Sequence, residues 1–282
     1  MSYGRASAVA ARVIFALATL VAIFAAMACR EQRAPRGTGD ATVHFLLASD
    51  KGITEVTDGQ ITTLASFPAG SYALDPAVSP DGKQVAFVLQ PPVVVTPNGG
   101  IDFGTYLYLV ARKAGALPRL LLKHSRTGEF VRTPSWQDNG RLLATVRGLD
   151  PSGGFDLHIV TVEVGTGDSR RVLGHAVNPV VAPDGSSLLF LQLDPSGTVE
   201  MLIKTDAGLK SRQVLAETSD GLALISSAVW SPDGRRIAFA ASDISLIGGK
   251  DATAPGKAAL AHPSAQDIWT VDEDGSGLHR LA

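Results

Sequence analysis

Four stretches of the chain repeat one order of apolar and polar positions: an apolar pair, a short polar turn, and an apolar run rich in β-branched or aromatic side chains. The clearest copy is Ala228-Val229-Trp230-Ser231-Pro232-Asp233-Gly234-Arg235-Arg236-Ile237-Ala238-Phe239-Ala240, and the others span residues 76–88, 134–146 and 179–191. The runs after the turns (84–88, 142–146, 187–191 and 236–240) are apolar on both faces. This predicts strands covered on both sides.

The polar centre of each copy reads as a turn. In Ser79-Pro80-Asp81-Gly82 and Ser231-Pro232-Asp233-Gly234, Ser can bond backbone two residues on, Pro presets φ, and Gly tolerates the left-handed geometry leading into the next strand. The third copy is Ala182-Pro183-Asp184-Gly185. The second reads Gln137-Asp138-Asn139-Gly140, where Asn139 and Gly140, both tolerant of positive φ, are expected to preserve the turn. Asp81, Asp184 and Asp233 are thus turn formers and not catalytic acids.

The turn glycines Gly82, Gly140, Gly185 and Gly234 lie 58, 45 and 49 residues apart, by subtraction of their numbers. Periods of about 40 to 50 with several strands each indicate propeller blades. A β-sandwich would show evenly spaced strands without a repeated turn sequence. The expected fold is all-β: a β-propeller of four-stranded blades with about five repeats, near 41–66, 71–124, 131–175, 177–217 and 227–282. No turn motif precedes the strands at 42–48, 52–56 and 61–64, so the first blade is expected to lack its inner strand. Either the chain is cut short, or residues 30–40 supply that strand, or the ring is open. The longest insertions, 91–104 and 242–266, both fall between second and third strands. They are expected on one face of the ring, and loop faces are where propellers bind.

Composition agrees with this reading. Of 282 residues 18% are charged, while Gly and Pro number 29 and 16, which suits an all-β chain better than a helical one. With 25 basic against 27 acidic residues, the chain lacks the basic excess of a nucleic-acid binder. Arg5 and Arg12 precede an uncharged apolar run at 13–28 that ends in small residues before Cys29, which reads as a signal peptide over 1–28. Cys29 is the one cysteine, so no intramolecular disulfide is possible. Residues 29–40 are polar, with Pro and Gly, and read as a tether.

Two resemblances follow. Ala25-Ala26-Met27-Ala28-Cys29 resembles the lipobox of bacterial lipoproteins, which implies acylation of Cys29 and an exported protein held on a membrane, facing the periplasm or the cell exterior. A plain cleaved signal and an uncleaved anchor are the alternatives. Trp230-Ser231-Pro232-Asp233-Gly234, Ile237-Ala238-Phe239, Asp267-Ile268-Trp269 and Asp274-Gly275-Ser276-Gly277 resemble the TolB-type, WD-repeat-like β-propeller repeat of bacteria. That resemblance implies an extracytoplasmic propeller and leaves the function open.

Signs of catalytic chemistry are sparse along the chain. His44, His124, His158, His175, His262 and His279 are dispersed without metal-ligand spacing. Asp272-Glu273-Asp274-Gly275 begins like a calcium loop but lacks the later bidentate Glu, and reads as a hairpin. No Gly-x-Ser-x-Gly elbow or phosphate loop occurs. Trp136 and Trp230 are expected to pack between blades. No catalytic, metal or cofactor residues are assigned, and no cofactor is expected. The expected function is a non-catalytic envelope module that presents loop faces to a protein, peptide or glycan partner. The alternatives are a polysaccharide lyase or hydrolase with converging His, Arg, Lys and carboxylate groups, or a propeller fragment of a larger peptidase-like protein.

Overall fold

A computed structural model describes residues 44–95, 101–102, 104–123, 129–149, 155–194, 199–206, 211–216, 220–243 and 266–281. All regular structure among them is β, in antiparallel sheets whose strands follow chain order. Blade 1 has three strands, β1 (His44–Ser49), β2 (Gly52–Thr57) and β3 (Gln60–Ala65). Blade 2 comprises β4 (Tyr72–Val78), β5 (Gln84–Gln90), β8 (Tyr106–Ala111) and β9 (Arg119–Leu122), with β6 (Val94–Val95) and β7 (Ile101–Asp102) pairing separately within its insertion. Blade 3 is β10 (Phe130–Asp138), β11 (Arg141–Leu149), β12 (Phe155–Glu163) and β13 (Ser169–Gly174). Blade 4 is β14 (Ala176–Val181), β15 (Ser187–Leu193), β16 (Val199–Asp206) and β17 (Ser211–Ala216). Blade 5 is β18 (Leu222–Trp230), β19 (Arg236–Asp243), β20 (Asp267–Asp272) and β21 (His279–Arg280). The fold is the expected β-propeller, with four four-stranded blades and, among the described residues, a first blade of three strands.

Period-two alternation explains why the second strands are apolar on both faces. Val85 and Phe87 of β5 pack with Ile53 and Leu64 of blade 1, while the intervening Ala86 joins Leu142, Ala144, Val160 and Val162 of blade 3. Leu143 and Ile159 then meet Phe190 of blade 4, and Leu189, Leu191, Leu202 and Leu215 meet Ile237, Phe239 and Val271 of blade 5. The sheets of blades 2, 3 and 4 bury one face against the blade before and the other against the blade after, while blades 1 and 5 each share one such core. The protein therefore has four inter-blade cores instead of one centre. First strands pack on one another in the order β4, β10, β14, β18, and so form the inner wall.

Three of the four turn motifs share one geometry. The amides of Gly82, Gly185 and Gly234 donate to the carbonyls of Ser79, Ala182 and Ser231 at 2.8, 2.9 and 2.9 Å, and the glycines have φ of 69°, 72° and 70°. A side chain at these angles would be strained, so Gly is required there. Ser79 Oγ donates to Asp81 at 2.7 Å and accepts from the Gln84 amide at 2.9 Å; Ser231 repeats this with Asp233 and the Arg236 amide at 2.5 and 2.9 Å. The hydroxyls hold the carboxyls of Asp81 and Asp233 below their ordinary pKa, helped by the amides of Lys83 and Arg235. Pro80, Pro183 and Pro232 occupy the second position of each turn, and Asp184 accepts from the Ser186 amide at 2.9 Å.

The second copy departs from expectation. Neither Asn139 nor Gly140 has positive φ. Asp138 pairs directly with Arg141 across a two-residue connection, and its carboxylate accepts from the Gly140 amide at 2.8 Å and from Arg141 at 2.6 Å. A charged side chain, not a left-handed backbone, fixes this turn. Asn139 instead bridges blades, its Oδ1 accepting from the Asp81 amide at 3.1 Å.

Candidate functional site on the inner wall

The feature repeated on the inner wall is a bulge. Asp75, Thr133, Asn178 and Ser227 occupy the same place in β4, β10, β14 and β18, with φ of 49°, 50°, 55° and 51°. At each one the pairing with the second strand slips: between Leu74 and Ala77, Arg132 and Ser135, Val177 and Val180, and Ser226 and Val229. The first three precede Pro76, Pro134 and Pro179, and a residue before Pro is steered away from the right-handed helical region. Asp and Asn tolerate positive φ, but a β-branched Thr there is strained. Such strain, repeated at one level, marks a position that the surrounding structure enforces.

Because a bulge frees backbone from its own sheet, it turns polar groups toward the next blade. Asp75 Oδ2 accepts from the Thr133 amide at 2.9 Å and from Arg132 Nε at 2.6 Å. Thr133 Oγ1 is 2.8 Å from Thr145 Oγ1, which accepts from the Asn178 amide at 2.8 Å. A hydrogen-bonded chain thus runs through blades 2, 3 and 4. Burial opposes the charge on Arg132, yet Asp75 outweighs it and raises the guanidinium pKa. The indole of Trp136 donates to the Ala77 carbonyl at 2.9 Å and that of Trp230 to the Val180 carbonyl at 3.2 Å, so both Trp residues tie an inner strand to the one before it. Beside these ties the Ser227 side chain is exposed and the Asn178 side chain half-buried. They give this wall uncharged donors and acceptors beside the Asp75–Arg132 pair.

The turn residues lie elsewhere. Pro183, Asp184, Pro232, Asp233 and Gly234 line a polar groove of about 420 Å³ between blades 4 and 5, with Trp230 and Glu273. Two clusters that the sequence did not reveal join a histidine, an acid and an arginine. His44 Nε2 lies 2.9 Å from Glu55, which also pairs with Arg112, and Arg112 Nη2 reaches His44 at 2.9 Å. Asp156 pairs with His158 at 3.1 Å and with Arg171 at 2.5 Å. The members are 57 and 68 residues apart in the first cluster and unite only because neighbouring blades touch. The first joins blades 1 and 2 and the second lies within blade 3, so neither stands on the inner wall. Among the described residues no group of three or more His, Cys, Asp or Glu side chains could hold a metal ion. Cys29, the tether and residues 244–265 of the longest insertion lie outside the described residues.

No protein-family model and no curated protein sequence matches the chain. Solved structures do resemble it. A putative TolB from Agrobacterium tumefaciens matches with a TM-score of 0.55 and 18% identity, over 84% of this chain and 76% of that one. TolB from Acinetobacter baumannii matches with a TM-score of 0.56 and 15% identity, over 87% of this chain and 53% of that one, so the chain spans about half its length. An oligogalacturonate lyase from Vibrio parahaemolyticus matches with a TM-score of 0.50 and 14% identity, over 84% and 61%. At these identities the likeness is one of fold, and the fold is a TolB-like propeller.

Proposed function

We propose that the protein is a non-catalytic binding module of the cell envelope, lipid-anchored through Cys29, which offers its inner wall and loop end to a protein, peptide or glycan partner. The observation that carries this reading is the row of bulges at Asp75, Thr133, Asn178 and Ser227. It is repeated and strained, and it lies on the inner surface of a fold that binds through surfaces of this kind. The acids of the described clusters are already committed: Asp75 to Arg132, Glu55 to Arg112 and Asp156 to Arg171. Such pairs suit a scaffold more than proton transfer.

The test is crosslinking in intact cells followed by capture. An Asn178→Arg, Ser227→Arg double variant fills the wall with bulk and charge and is expected to lower partner recovery about tenfold, equivalent to about 1.4 kcal/mol. Its thermal unfolding should fall only modestly, by the strain of Arg at positive φ, and the variant should remain folded at the assay temperature. Full recovery removes the inner wall as the binding surface. Turnover of an oligogalacturonate by the purified protein, abolished by His44→Ala, would replace this reading with the lyase alternative.

The anchor has its own measurement. Wild-type protein should take up labelled palmitate and Cys29→Ala should take up none; an unlabelled wild type ends the lipoprotein reading. Several acyl chains are needed for firm attachment, since one gives only marginal binding.

A further inference from the structure

A groove of about 530 Å³ runs between blades 3 and 4, with β11, β12 and β13 on one side and residues 185–188 on the other. Its wall holds a polar pair where blade 2 is apolar. Leu143, Thr161 and Arg170 stand opposite one another in register on β11, β12 and β13, and Leu143 packs with Phe190 of blade 4, so the row faces blade 4. The same row in blade 2 is Ala86, Leu109 and Arg119, with Leu109 buried in the core shared with blade 3. Thr161 brings a hydroxyl to that place. Its Oγ1 is buried, and among the described residues it and Gln84 Oε1 are the buried side-chain polar atoms without a hydrogen-bond partner. A buried hydroxyl left so costs stability and calls for a group that completes it. Arg119 and Arg212 donate to carbonyls of the following blade, Val164 at 2.6 Å and Asp274 at 2.7 Å, whereas Arg170 bonds to none of the described residues.

The other cations of the groove are committed, Arg141 to Asp138 and Arg171 to Asp156. Glu163 follows Thr161 by two residues on β12, hence on the same face and about 7 Å along the strand. Its amide donates to the Asp168 carbonyl at 2.9 Å, which places two carboxylate residues side by side at that end of the groove. We infer that this groove binds an extended peptide segment of a partner in which an acidic side chain and a lysine stand two residues apart. Arg170 and Thr161 Oγ1 both donate to the carboxylate, and Glu163 and Asp168 accept from the ammonium. The spacing carries the fit, since side chains two apart on an extended peptide also lie on one side about 7 Å from each other. Thr133, Asn178 and Ser227 do not line this groove, so the inference goes beyond the inner-wall reading.

The probe is the labelled peptide acetyl-Ala-Lys-Val-Glu-Ala-amide, titrated against the complete protein. Saturable binding is expected. Replacing its Glu by Gln, or exchanging Val and Glu so that the charges become adjacent, should weaken it at least about tenfold, equivalent to about 1.4 kcal/mol. Arg170→Gln should do the same, and Glu163→Gln should abolish the preference for Lys over norleucine. Thr161→Val should bind about fivefold more weakly yet melt no lower than the wild type, because it removes a buried hydroxyl without a partner. Thr161→Ser, which keeps the hydroxyl, should bind as the wild type does.

Absence of saturable binding overturns the inference, as does equal affinity for the Gln peptide or unchanged binding by a folded Arg170→Gln. A Thr161→Val variant that melts lower and binds the peptide normally would assign the hydroxyl to the fold alone and overturn it too. Loss of the probe in the Asn178→Arg, Ser227→Arg variant would move the peptide to the inner wall. Probe binding by a wild type that captures nothing in cells sinks the inner-wall reading alone; cellular capture by a wild type blind to the probe sinks the groove alone.

Discussion

Phe87→Ala is expected to lower stability by about 3–5 kcal/mol, the range for removing a fully buried aromatic ring. Phe87 is fully buried on β5, on the face that meets blade 1. Its ring lies 5.3 Å from that of Phe67 and 5.7 Å, stacked, from that of Tyr108. Truncation would open a cavity between rigid sheets and remove both aromatic contacts. The loss should also be local, because each blade is held mainly by its neighbours. Amide exchange resolved along the chain should therefore show blades 1 and 2 opening before blades 4 and 5. A loss below about 1 kcal/mol in urea unfolding would mean that Phe67 and Tyr108 collapse into the gap.

Asp75→Ala comes next, at about 2–3 kcal/mol. Removing one partner of a buried ion pair costs about 3–5 kcal/mol. The Arg132 and Asp75 side chains are 31% and 22% exposed, so solvent screening reduces that figure. The variant leaves the Arg132 charge unpaired and the Thr133 amide without its acceptor. Asp75→Asn separates the two effects, since it keeps an acceptor for Thr133 and loses the charge. Urea unfolding should place it between wild type and Asp75→Ala. If Asp75→Asn equals the wild type, the ion pair contributes nothing and the amide bond carries the effect.

Much of the architecture is legible in the sequence because turns are local. Gly82, Gly185 and Gly234 need positive φ, and the Ser-Pro-Asp-Gly order announces it within four residues. The same locality misleads at Asn139-Gly140, where the nearby Asp138 and Arg141 settle the turn without positive φ. The bulges left a weaker trace. Pro76, Pro134 and Pro179 recur, but Ser227 precedes Ala228, so the fourth member shows only in the backbone.

The candidate site was less visible because its contacts join residues that no short motif links. Thr133 reaches Asp75 across 58 positions, Arg132 reaches the same carboxylate across 57, and Asn178 reaches Thr145 across 33. A separation of one blade period is unremarkable in sequence; stacking turns it into a hydrogen bond. The His44–Glu55–Arg112 cluster arises in the same way.

By itself, then, the sequence determined the all-β repeat and the hairpin in each of blades 2 to 5, since alternation and turn chemistry act over a few residues. Only the tertiary structure decided which polar groups neighbouring blades satisfy and which they leave open. Those include the paired carboxylate of Asp75, the amide of Asn178 held by Thr145, and the exposed Ser227. The reason is physical: whether a hydrogen-bonding group or an apolar face is satisfied depends on what packs against it, and here that partner stands a whole blade away.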